Sequence, residues 1–298
     1  MSTVGLGILS WRANETLRKM LESIPQELLD CFQDKVIYFS DIDESDRKIA
    51  AEFGFRAEGG PNEGIGYGMM HVIDAIDADY VAVLQNDCPV IIPANEAVAE
   101  IKAALDLLEN KVADIVRLRH RWLGGEIFWY QKQYLKLYST KACDCNFRHD
   151  LHNLTPRDHK DSFAKKIRRT FGYAKAKRLR GKSVFIEQSP HLIHGDVIKK
   201  AGEFYIIDSS ALRFSDQPFM IRKSFFMDVI WPYVLGHPVI NRNKKLGLEE
   251  SLCTSWWRKQ HFKIAQGTGV FTHKRYDRPY EQGMERLLCG PGVGRVGD

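Results

Sequence analysis

The first 118 residues alternate between short apolar runs and amphipathic segments, and this alternation is the strongest constraint on the fold. Apolar runs of strand length occupy residues 4–11, 35–41, 80–84 and 113–118. Between them, apolar residues recur three and four positions apart, as on one face of a helix. Strands that alternate with helices form a mostly parallel sheet covered by helices on both faces. The sequence therefore predicts a Rossmann-like α/β fold.

Three of these apolar runs end in polar residues. The ends read Ser10-Trp11-Arg12, Ser40-Asp41-Ile42-Asp43 and Gln85-Asn86-Asp87. Ligands of parallel sheets bind beyond the carboxyl ends of the strands, so we expect these side chains to meet in one crevice. Asp87 is a candidate ligand for a hard cation, and Asn86 could contact a ribose hydroxyl. The alternative, of equal weight, is an Asn-Asp turn before Pro89.

The order of these segments resembles the nucleotide-binding half of GT-A-type glycosyltransferases, particularly those similar to family 2. The matching stretches are ILSWR, YFSDID, GPNEGIGYG and LQNDCP. The resemblance implies one metal ligand, Asp87, and a set of nucleotide-sugar contacts: Ser10, Arg12, Asp41, Asp43, Asn62, Gly66, Gln85 and Asn86. The chain departs from the family where Gln85 replaces the first acid of the usual Asp-x-Asp motif.

The last hundred residues carry three further stretches that resemble the same family. In LGLEES, Glu250 matches the catalytic base, with Glu249 just before it; the alternative is a solvated helix start. GVFTHKR resembles a loop that folds over the diphosphate, which implies His273 as a metal ligand and Lys274 and Arg275 as phosphate contacts. FSDQPFMIRKSFF resembles a segment beside the acceptor pocket. The implied acceptor contacts are Ser215, Asp216, Gln217, Trp256 and Trp257, with core packing as the alternative for the tryptophan pair.

Taken together, the resemblance implies a GT-A-like enzyme that moves a sugar from a nucleoside diphosphate to a glycan or other hydroxyl acceptor. Transfer would invert the anomeric centre and use Mn²⁺ or Mg²⁺. We expect a single catalytic domain over residues 1–298. Residues 1–118 would form the nucleotide-sugar half, 119–205 a variable, basic and partly helical insertion, and 206–298 the acceptor half with a C-terminal loop.

The net charge of +5 conceals a local concentration of positive charge. Residues 157–182 contain eleven Lys and Arg against two Asp, a charge of +9, so the remainder of the chain carries about −4. Such a segment could bind nucleic acid, rest on anionic lipids, receive an anionic acceptor or form a solvated face. No nucleic-acid-binding signature accompanies it, so we expect no nucleic-acid partner, whereas peripheral membrane contact stays open.

Two rival functions and the location follow from smaller features. A sugar nucleotidyltransferase also begins with a nucleotide-binding α/β half, but the chain lacks the usual glycine-rich basic loop after Ile8. Zinc is a rival at four closely spaced residues, Cys143, Cys145, His149 and His152, although their spacing is not that of a usual zinc knuckle. Scattered cysteines and the absence of a secretory signal predict a cytoplasmic protein, with possible membrane-peripheral contact.

Overall fold

A computed structural model of the chain describes residues 2–125, 130–138, 163–241 and 244–276. Its described residues form one nine-stranded sheet with the spatial order β3-β2-β1-β4-β8-β5-β9-β7-β6. The strands are β1 Val4–Ser10, β2 Asp34–Ser40, β3 Arg56–Gly60, β4 Tyr80–Gln85, β5 Ile115–Arg119, β6 Ile198–Ala201, β7 Phe204–Asp208, β8 Phe219–Arg222 and β9 Lys263–Phe271. Strands from both halves of the sequence therefore share one sheet.

The sheet is mostly parallel, and its exceptions determine what lies at the carboxyl edge. Strands β3, β2, β1 and β4 are parallel neighbours, as are β5 and β9. Strand β8 is antiparallel to both of its neighbours, β4 and β5. Because β8 runs in the opposite direction, it begins at the edge where β4 and β5 end. The residues that precede Phe219 consequently lie beside the polar end of β4.

Helices cover both faces of the sheet, as predicted. The helices are α1 Asn14–Glu22, α2 Gln26–Leu29, α3 Glu44–Glu52, α4 Ile65–Ala75, α5 Ala94–Glu109, α6 Tyr130–Leu137, α7 Phe163–Phe171, α8 Tyr173–Lys182, α9 Pro190–Ile193, α10 Lys223–Phe225, α11 Trp231–Gly236, α12 Leu248–Leu252 and α13 Ser255–Gln260. One apolar core packs α1, α2, α3 and α5 against the sheet, and a second packs α4 and α11 to α13 against the opposite face. The predicted α/β fold class, a mostly parallel sheet with helices on both faces, is confirmed.

Strand β1 shows why the sequence alternates as it does. All seven of its residues are buried, and Leu6 and Ile8 join one core while Leu9 joins the other. On the α4 side the strand carries glycine: a Cβ at Gly7 would lie 2.2 Å from Cγ1 of Val72. The helix therefore packs directly on the strand backbone, which sets the position of the turn that precedes α4.

The basic segment is helical where the structure describes it. Helices α6 and α8 enclose a small third core of Tyr134, Leu137, Ala176, Leu179 and Ile186. Buried polar groups complete it, since the Tyr134 hydroxyl lies 2.9 Å from Oε1 of Glu187 and 2.8 Å from Nε2 of His194. The end of the predicted insertion, residues 198–205, contributes to β6 and β7 at the sheet edge.

The candidate zinc residues Cys143, Cys145, His149 and His152 lie outside the described residues. None of the helices in the described ranges is both long enough and apolar enough to cross a lipid bilayer.

Candidate active site

The polar residues predicted from the strand ends meet at the carboxyl edge of β1, β2 and β4. The site also includes the loop before β8, the loop that leads into α12, and the segment after β9. Two carboxylate-centred clusters lie at this edge. The first surrounds Asp87 at the end of β4, and the second surrounds Glu249 on α12.

Asp41 joins three segments at the outer rim of this edge. Its Oδ2 lies 3.3 Å from Trp11 Nε1 and 3.7 Å from Arg12 Nη2, and its Oδ1 accepts from the Asn62 backbone N–H at 3.1 Å. The residue has a positive φ of 61°, a conformation that non-glycine residues seldom adopt. The backbone thus turns sharply after β2 and holds a half-exposed carboxylate beside the indole and the guanidinium.

Asp43, the second acid after β2, has a structural contact. Its side chain accepts from the Asp46 backbone N–H at 3.0 Å, and the Asp46 carboxylate accepts from the Asp43 N–H at 3.0 Å. This reciprocal pair is a capping box, which satisfies free backbone donors at the start of α3. Of the two acids, Asp41 is therefore the one that faces the crevice.

The glycine-rich turn before α4 is held by the loop at residues 244–246. Asn62 Oδ1 accepts from the Gly64 N–H at 3.2 Å, and Lys245 Nζ donates to the Asn62 carbonyl. The Gly66 N–H donates to the Leu246 carbonyl at 3.0 Å. A Cβ at Gly64, which has a φ of 105°, would lie 2.7 Å from the Cβ of Lys245. Glycine is required here because another loop approaches closely.

Gln85 and Asn86 connect the two clusters to the sheet. Asn86 is buried, and its Nδ2 donates to Ser10 Oγ at 3.1 Å, which ties the ends of β4 and β1 together. Gln85 Nε2 donates to the Asp216 carbonyl at 3.1 Å. The residue that replaces the first acid of the family motif therefore holds the loop before β8 against the end of β4.

Asp87 is the buried centre of the first cluster, with 4% of its side chain exposed. Its Oδ2 lies 3.0 Å from Nε2 of His273 and 3.3 Å from Nε of Arg275, and its carbonyl accepts from the Lys274 N–H at 2.7 Å. Burial by itself raises the pKa of the Asp87 carboxyl, but the His273 hydrogen bond and the charges of His273 and Arg275 outweigh it. The net effect lowers the pKa, so Asp87 is a carboxylate at neutral pH.

The donor atoms of this cluster are suitable for a divalent cation. A buried carboxylate is a ligand that Mg²⁺ and Mn²⁺ accept, and an imidazole can join it. Asp87 Oδ2 and His273 Nε2 lie 3.0 Å apart and share a hydrogen bond, so both atoms face the same point. Across the described ranges, no group of three or more His, Cys, Asp and Glu side chains is placed to hold a metal. Asp87 and His273 would therefore supply two positions, and the remaining ligands would have to be water or substrate oxygens.

Asp216 and Glu249 form the centre of the second cluster. Burial, followed by the charges of Glu249 and Glu250, raises the pKa of Asp216 to about 7. Burial also raises the pKa of Glu249, while Arg117 acts to lower it. The hydrogen bond between the two carboxyls raises the pKa of Asp216 and lowers that of Glu249. When the pair carries one proton, that proton lies on Asp216 and Glu249 is the acceptor.

Glu250, the residue that matches the family motif, has a different environment. It is exposed and folds back over the start of α12, where its Oε2 would lie 2.1 Å from a Cβ added at Gly247. Glu249 and Glu250 are adjacent on one helical turn, so their side chains point in different directions. The structure brings Glu249, rather than Glu250, into contact with Asp216.

Of the other predicted acceptor contacts, some lie in the apolar core and others lie in the crevice. Trp257 is fully buried, donates from Nε1 to the Leu212 carbonyl at 3.0 Å, and is a core residue. Trp256 stacks on Tyr233 with ring centroids 3.7 Å apart. Ser215 Oγ accepts from the Gln217 N–H at 3.5 Å, and Oε1 of Gln217 is a buried acceptor with no hydrogen-bond partner. An unpartnered acceptor beside Asp216 suits a hydroxyl donor.

Three basic residues beside Glu249 were missed by the sequence analysis as site residues. Arg117 is the central residue of β5, Lys182 is the last residue of α8, and Arg213 lies between β7 and β8. The available signals were weak: Arg117 interrupts an apolar strand, and Lys182 was counted only as part of a basic run. Their proximity depends on the antiparallel insertion of β8, which local patterns do not reveal.

Comparison with known proteins gives likenesses of fold. No protein-family model matches the chain, and no curated protein matches it. Glucosyl-3-phosphoglycerate synthase from Mycobacterium tuberculosis, solved with Mn²⁺, UDP and glucosyl-3-phosphoglycerate, matches with a TM-score of 0.45 and 13% identity, over 99% of this chain and 82% of that one. A Pyrobaculum calidifontis mannosyltransferase with GDP-Man and Mn²⁺ matches with a TM-score of 0.48 and 10% identity, over 96% and 61%.

A third match is CMP:2-keto-3-deoxy-manno-octonic acid synthetase complexed with CTP, with a TM-score of 0.45 and 12% identity, over 96% of this chain and 98% of that one. The matched structures thus include sugar-transferring enzymes and a CTP-bound synthetase. All three TM-scores lie below 0.5, so these likenesses do not identify the substrate or the reaction of this chain.

Proposed function

We propose that this protein is a glycosyltransferase that moves a sugar from a nucleoside diphosphate to a hydroxyl acceptor with inversion. One observation carries the proposal: a single residue, Gln85, connects two carboxylate clusters whose pKa values are shifted in opposite directions. Gln85 directly precedes the Asn86-Asp87 pair and donates at 3.1 Å to Asp216, the partner of Glu249. A carboxylate that remains ionised and a carboxyl pair with raised pKa values are suited to different tasks in one reaction.

The first cluster and the rim around Asp41 would together bind the donor. Asp41, with Trp11 and Arg12 beside it, offers a carboxylate and a flat indole surface for the base and ribose. Lys274 and Arg275 offer positive charge for the diphosphate. Asp87 and His273 would hold Mn²⁺ or Mg²⁺, which would neutralise charge on the departing diphosphate. The hydrogen bond between Asn86 and Ser10 ties the end of β4 to β1, so it holds Asp87 in position.

The second cluster would take the proton of the acceptor. As the acceptor oxygen bonds to the anomeric carbon, the carbon–oxygen bond to the diphosphate breaks and the bonding pair leaves with the phosphate. The hydroxyl proton passes to Glu249, which acts as general base. Attack from the side opposite the leaving group inverts the anomeric centre and needs no covalent intermediate. Asp216 is a positioning residue, since its backbone N–H donates to the Glu249 carboxylate and holds it in place whether or not the Asp216 carboxyl is protonated.

Glu250 is the base that the family motif implies, and the geometry supports Glu249 instead. Glu249 is half-buried against Asp216 and Arg117, whereas Glu250 faces solvent. Burial raises the pKa of Glu249 toward the pH at which a base works efficiently. We therefore assign proton transfer to Glu249 and give Glu250 a lesser role at the crevice mouth.

We also propose a cytoplasmic location and a peripheral contact with anionic lipid through helix α7. Phe163 and Phe171 are 78% and 90% exposed, and Ile167 between them is also exposed. The segments 130–138 and 163–182 contain eleven Lys and Arg and no Asp or Glu. Exposed aromatic residues beside basic ones are typical of helices that lie in the membrane interface. Such a contact would hold the enzyme near a membrane-bound acceptor.

A screen of nucleotide sugars tests the proposed function. Thermal unfolding is followed with UDP-, GDP-, CDP- and dTDP-sugars, each with and without Mn²⁺. We expect the sugars of one nucleotide to raise the unfolding temperature to a plateau as their concentration increases, with a larger shift when Mn²⁺ is present. A ligand that binds only the folded state stabilises that state. Free nucleoside diphosphate should then be released when an acceptor is supplied. If none of the four donors stabilises the protein, the proposal is wrong.

A further inference from the structure

Three cations from separate chain segments converge beside the Asp216–Glu249 pair. Arg117 Nη2 donates to the Arg213 carbonyl at 2.5 Å, so β5 contacts the loop that carries the third cation. Lys182 is only 8% exposed, and the preceding Gly181 packs on Ala211, two residues before Arg213. The Arg117 guanidinium also lies over the Phe185 ring, 5.7 Å from its centre.

The end of α8 packs closely against the chain segment that precedes Arg213. A Cβ at Gly181 would lie 2.3 Å from the Ala211 carbonyl oxygen, so the helix backbone touches the chain two residues before Arg213. Glycine at this position lets Lys182 enter the cluster. The packing therefore brings like charges together at a defined place, instead of leaving them to separate in solvent.

The pKa values of Lys182 and Arg117 are both lowered in this cluster. Burial, then the charges of Arg213 and Arg117, lowers the pKa of Lys182 to about 7. Burial also lowers the pKa of Arg117 to about 10, with Arg119 acting in the same direction and Glu249 opposing it. Like charges in a partly desolvated site repel strongly, and an anion that enters would relieve the repulsion.

We propose that Arg117, Lys182 and Arg213 bind the oxyanion of an anionic acceptor, a phosphate or carboxylate group attached to the alcohol that receives the sugar. This inference rests on the proposed function, because it takes Glu249 as the base. An acceptor held by its anion would place its hydroxyl at the neighbouring carboxylate. Two guanidinium groups and an ammonium are the donors that proteins use for phosphate. The basic segment thus contributes Lys182 to the acceptor site.

Sulfate is the probe that tests the cluster, since it mimics a phosphate dianion. Thermal unfolding is measured against sulfate, with chloride and acetate at matched ionic strength, for the wild-type chain and for Lys182→Gln, Arg213→Gln and Lys175→Gln. Lys175 is an exposed lysine of the same helix and serves as the matched control. Non-specific salt stabilisation rises without saturation and is equal in all four proteins. A saturable response to acetate would favour a carboxylate, and one to sulfate a phosphate.

We expect saturable stabilisation in the wild type and in Lys175→Gln, with binding weakened about tenfold in Lys182→Gln and Arg213→Gln, the loss of one charged hydrogen bond. Arg213 is exposed, so its variant keeps the test valid if Lys182→Gln fails to fold. If neither anion gives a saturable response, or if both cluster variants bind like the wild type, the inference is wrong. Nucleotide-sugar binding is measured on the same samples. Its absence would contradict the proposed function separately, whatever the anion result.

Discussion

The two clusters of the crevice handle charge in opposite ways. Around Asp87, opposite charges are matched: His273 and Arg275 lie 3.0 and 3.3 Å from one carboxylate oxygen, and the pKa is lowered. Around Glu249, burial and then the packing of like charges raise the pKa of Asp216 and lower that of Lys182. Matched charges resist titration, whereas crowded like charges respond to protons and ligands. The first arrangement suits binding and the second suits proton transfer.

The largest expected effect comes from removing the base from the second cluster. Glu249→Gln should lose about 10²- to 10⁴-fold in turnover, the contribution of a general base, because glutamine cannot accept the proton. Donor affinity should not change, since the residue acts only after the donor is bound. Turnover is measured by release of nucleoside diphosphate, and donor affinity by calorimetry.

Glu250→Gln is the matched control for this variant. It makes the same chemical change one residue along α12, on an exposed side chain, and should reduce turnover by less than about tenfold. If Glu250→Gln is the inactive protein and Glu249→Gln retains activity, the base is the residue that the family motif implies. If both retain full transfer, the inverting mechanism is wrong.

The next largest effect should come from the first cluster, and it should appear in binding. Asp87→Ala removes the carboxylate that His273 and Arg275 contact, so nucleotide affinity should fall by about 10- to 100-fold. Added Mn²⁺ should no longer improve binding, because one of its two protein ligands is gone. Asp74→Ala, an exposed acid on α4, is the control and should bind like the wild type. A normal Mn²⁺ response in Asp87→Ala would show that the cation binds elsewhere.

A third comparison separates the crevice from helix α7, the proposed lipid contact. Lys166 and Arg168 are exposed on α7, whereas Lys165 and Arg169 donate to backbone carbonyls of the α6 segment. The double variant Lys166→Gln/Arg168→Gln should therefore weaken binding to anionic vesicles by about 10- to 30-fold, at about 1 kcal/mol for each charge. Donor affinity should be unaffected.

Arg47→Gln/Lys48→Gln, an equal charge change on exposed positions of α3, is the control for vesicle binding. Co-sedimentation with phosphatidylserine-containing vesicles is the measurement. Equal losses in both double variants would mean that net charge, and not helix α7, determines the contact.

The sequence revealed the first cluster better than the second, for a physical reason. Ser10, Asp41 and Asp87 each follow an apolar run, and parallel strands bring such ends together without any knowledge of long-range contacts. The second cluster depends on β8 entering antiparallel between β4 and β5, which no local pattern specifies. Asp216 was predicted from a resemblance, whereas Arg117 and Lys182 were not recognised.

Individual side chains were also harder to predict than the crevice itself. Asp41 and Asp43 are two residues apart and chemically alike, yet one faces the rim and the other caps α3. Trp256 and Trp257 differ in the same way, since one stacks on Tyr233 and the other is fully buried. Which member of a pair reaches a site depends on helix rotation and on neighbours distant in sequence. Composition and spacing do not contain that information.

The smallest expected effect distinguishes the clusters by pH alone. Burial raises the pKa of Asp216 to about 7, so its pair with Glu249 takes up a first proton as the pH falls through about 7. That proton lowers the basicity of Glu249, and a second one on Glu249 would abolish it. Wild-type transfer should therefore decline about two- to tenfold between about pH 7.5 and about pH 6. Donor affinity should stay constant, because Asp87 has a lowered pKa and remains ionised.

Asp216→Asn sharpens this test, because the amide can still donate to Glu249 but cannot take up the first proton. Its transfer rate should stay level over the same pH range and decline only at lower pH, where Glu249 itself is protonated. The measurement is nucleoside diphosphate release at saturating donor, with affinity followed in parallel. A wild-type decline that persists unchanged in Asp216→Asn would assign the titration to another group. A parallel fall in donor affinity would mean that the two clusters do not divide binding and proton transfer between them.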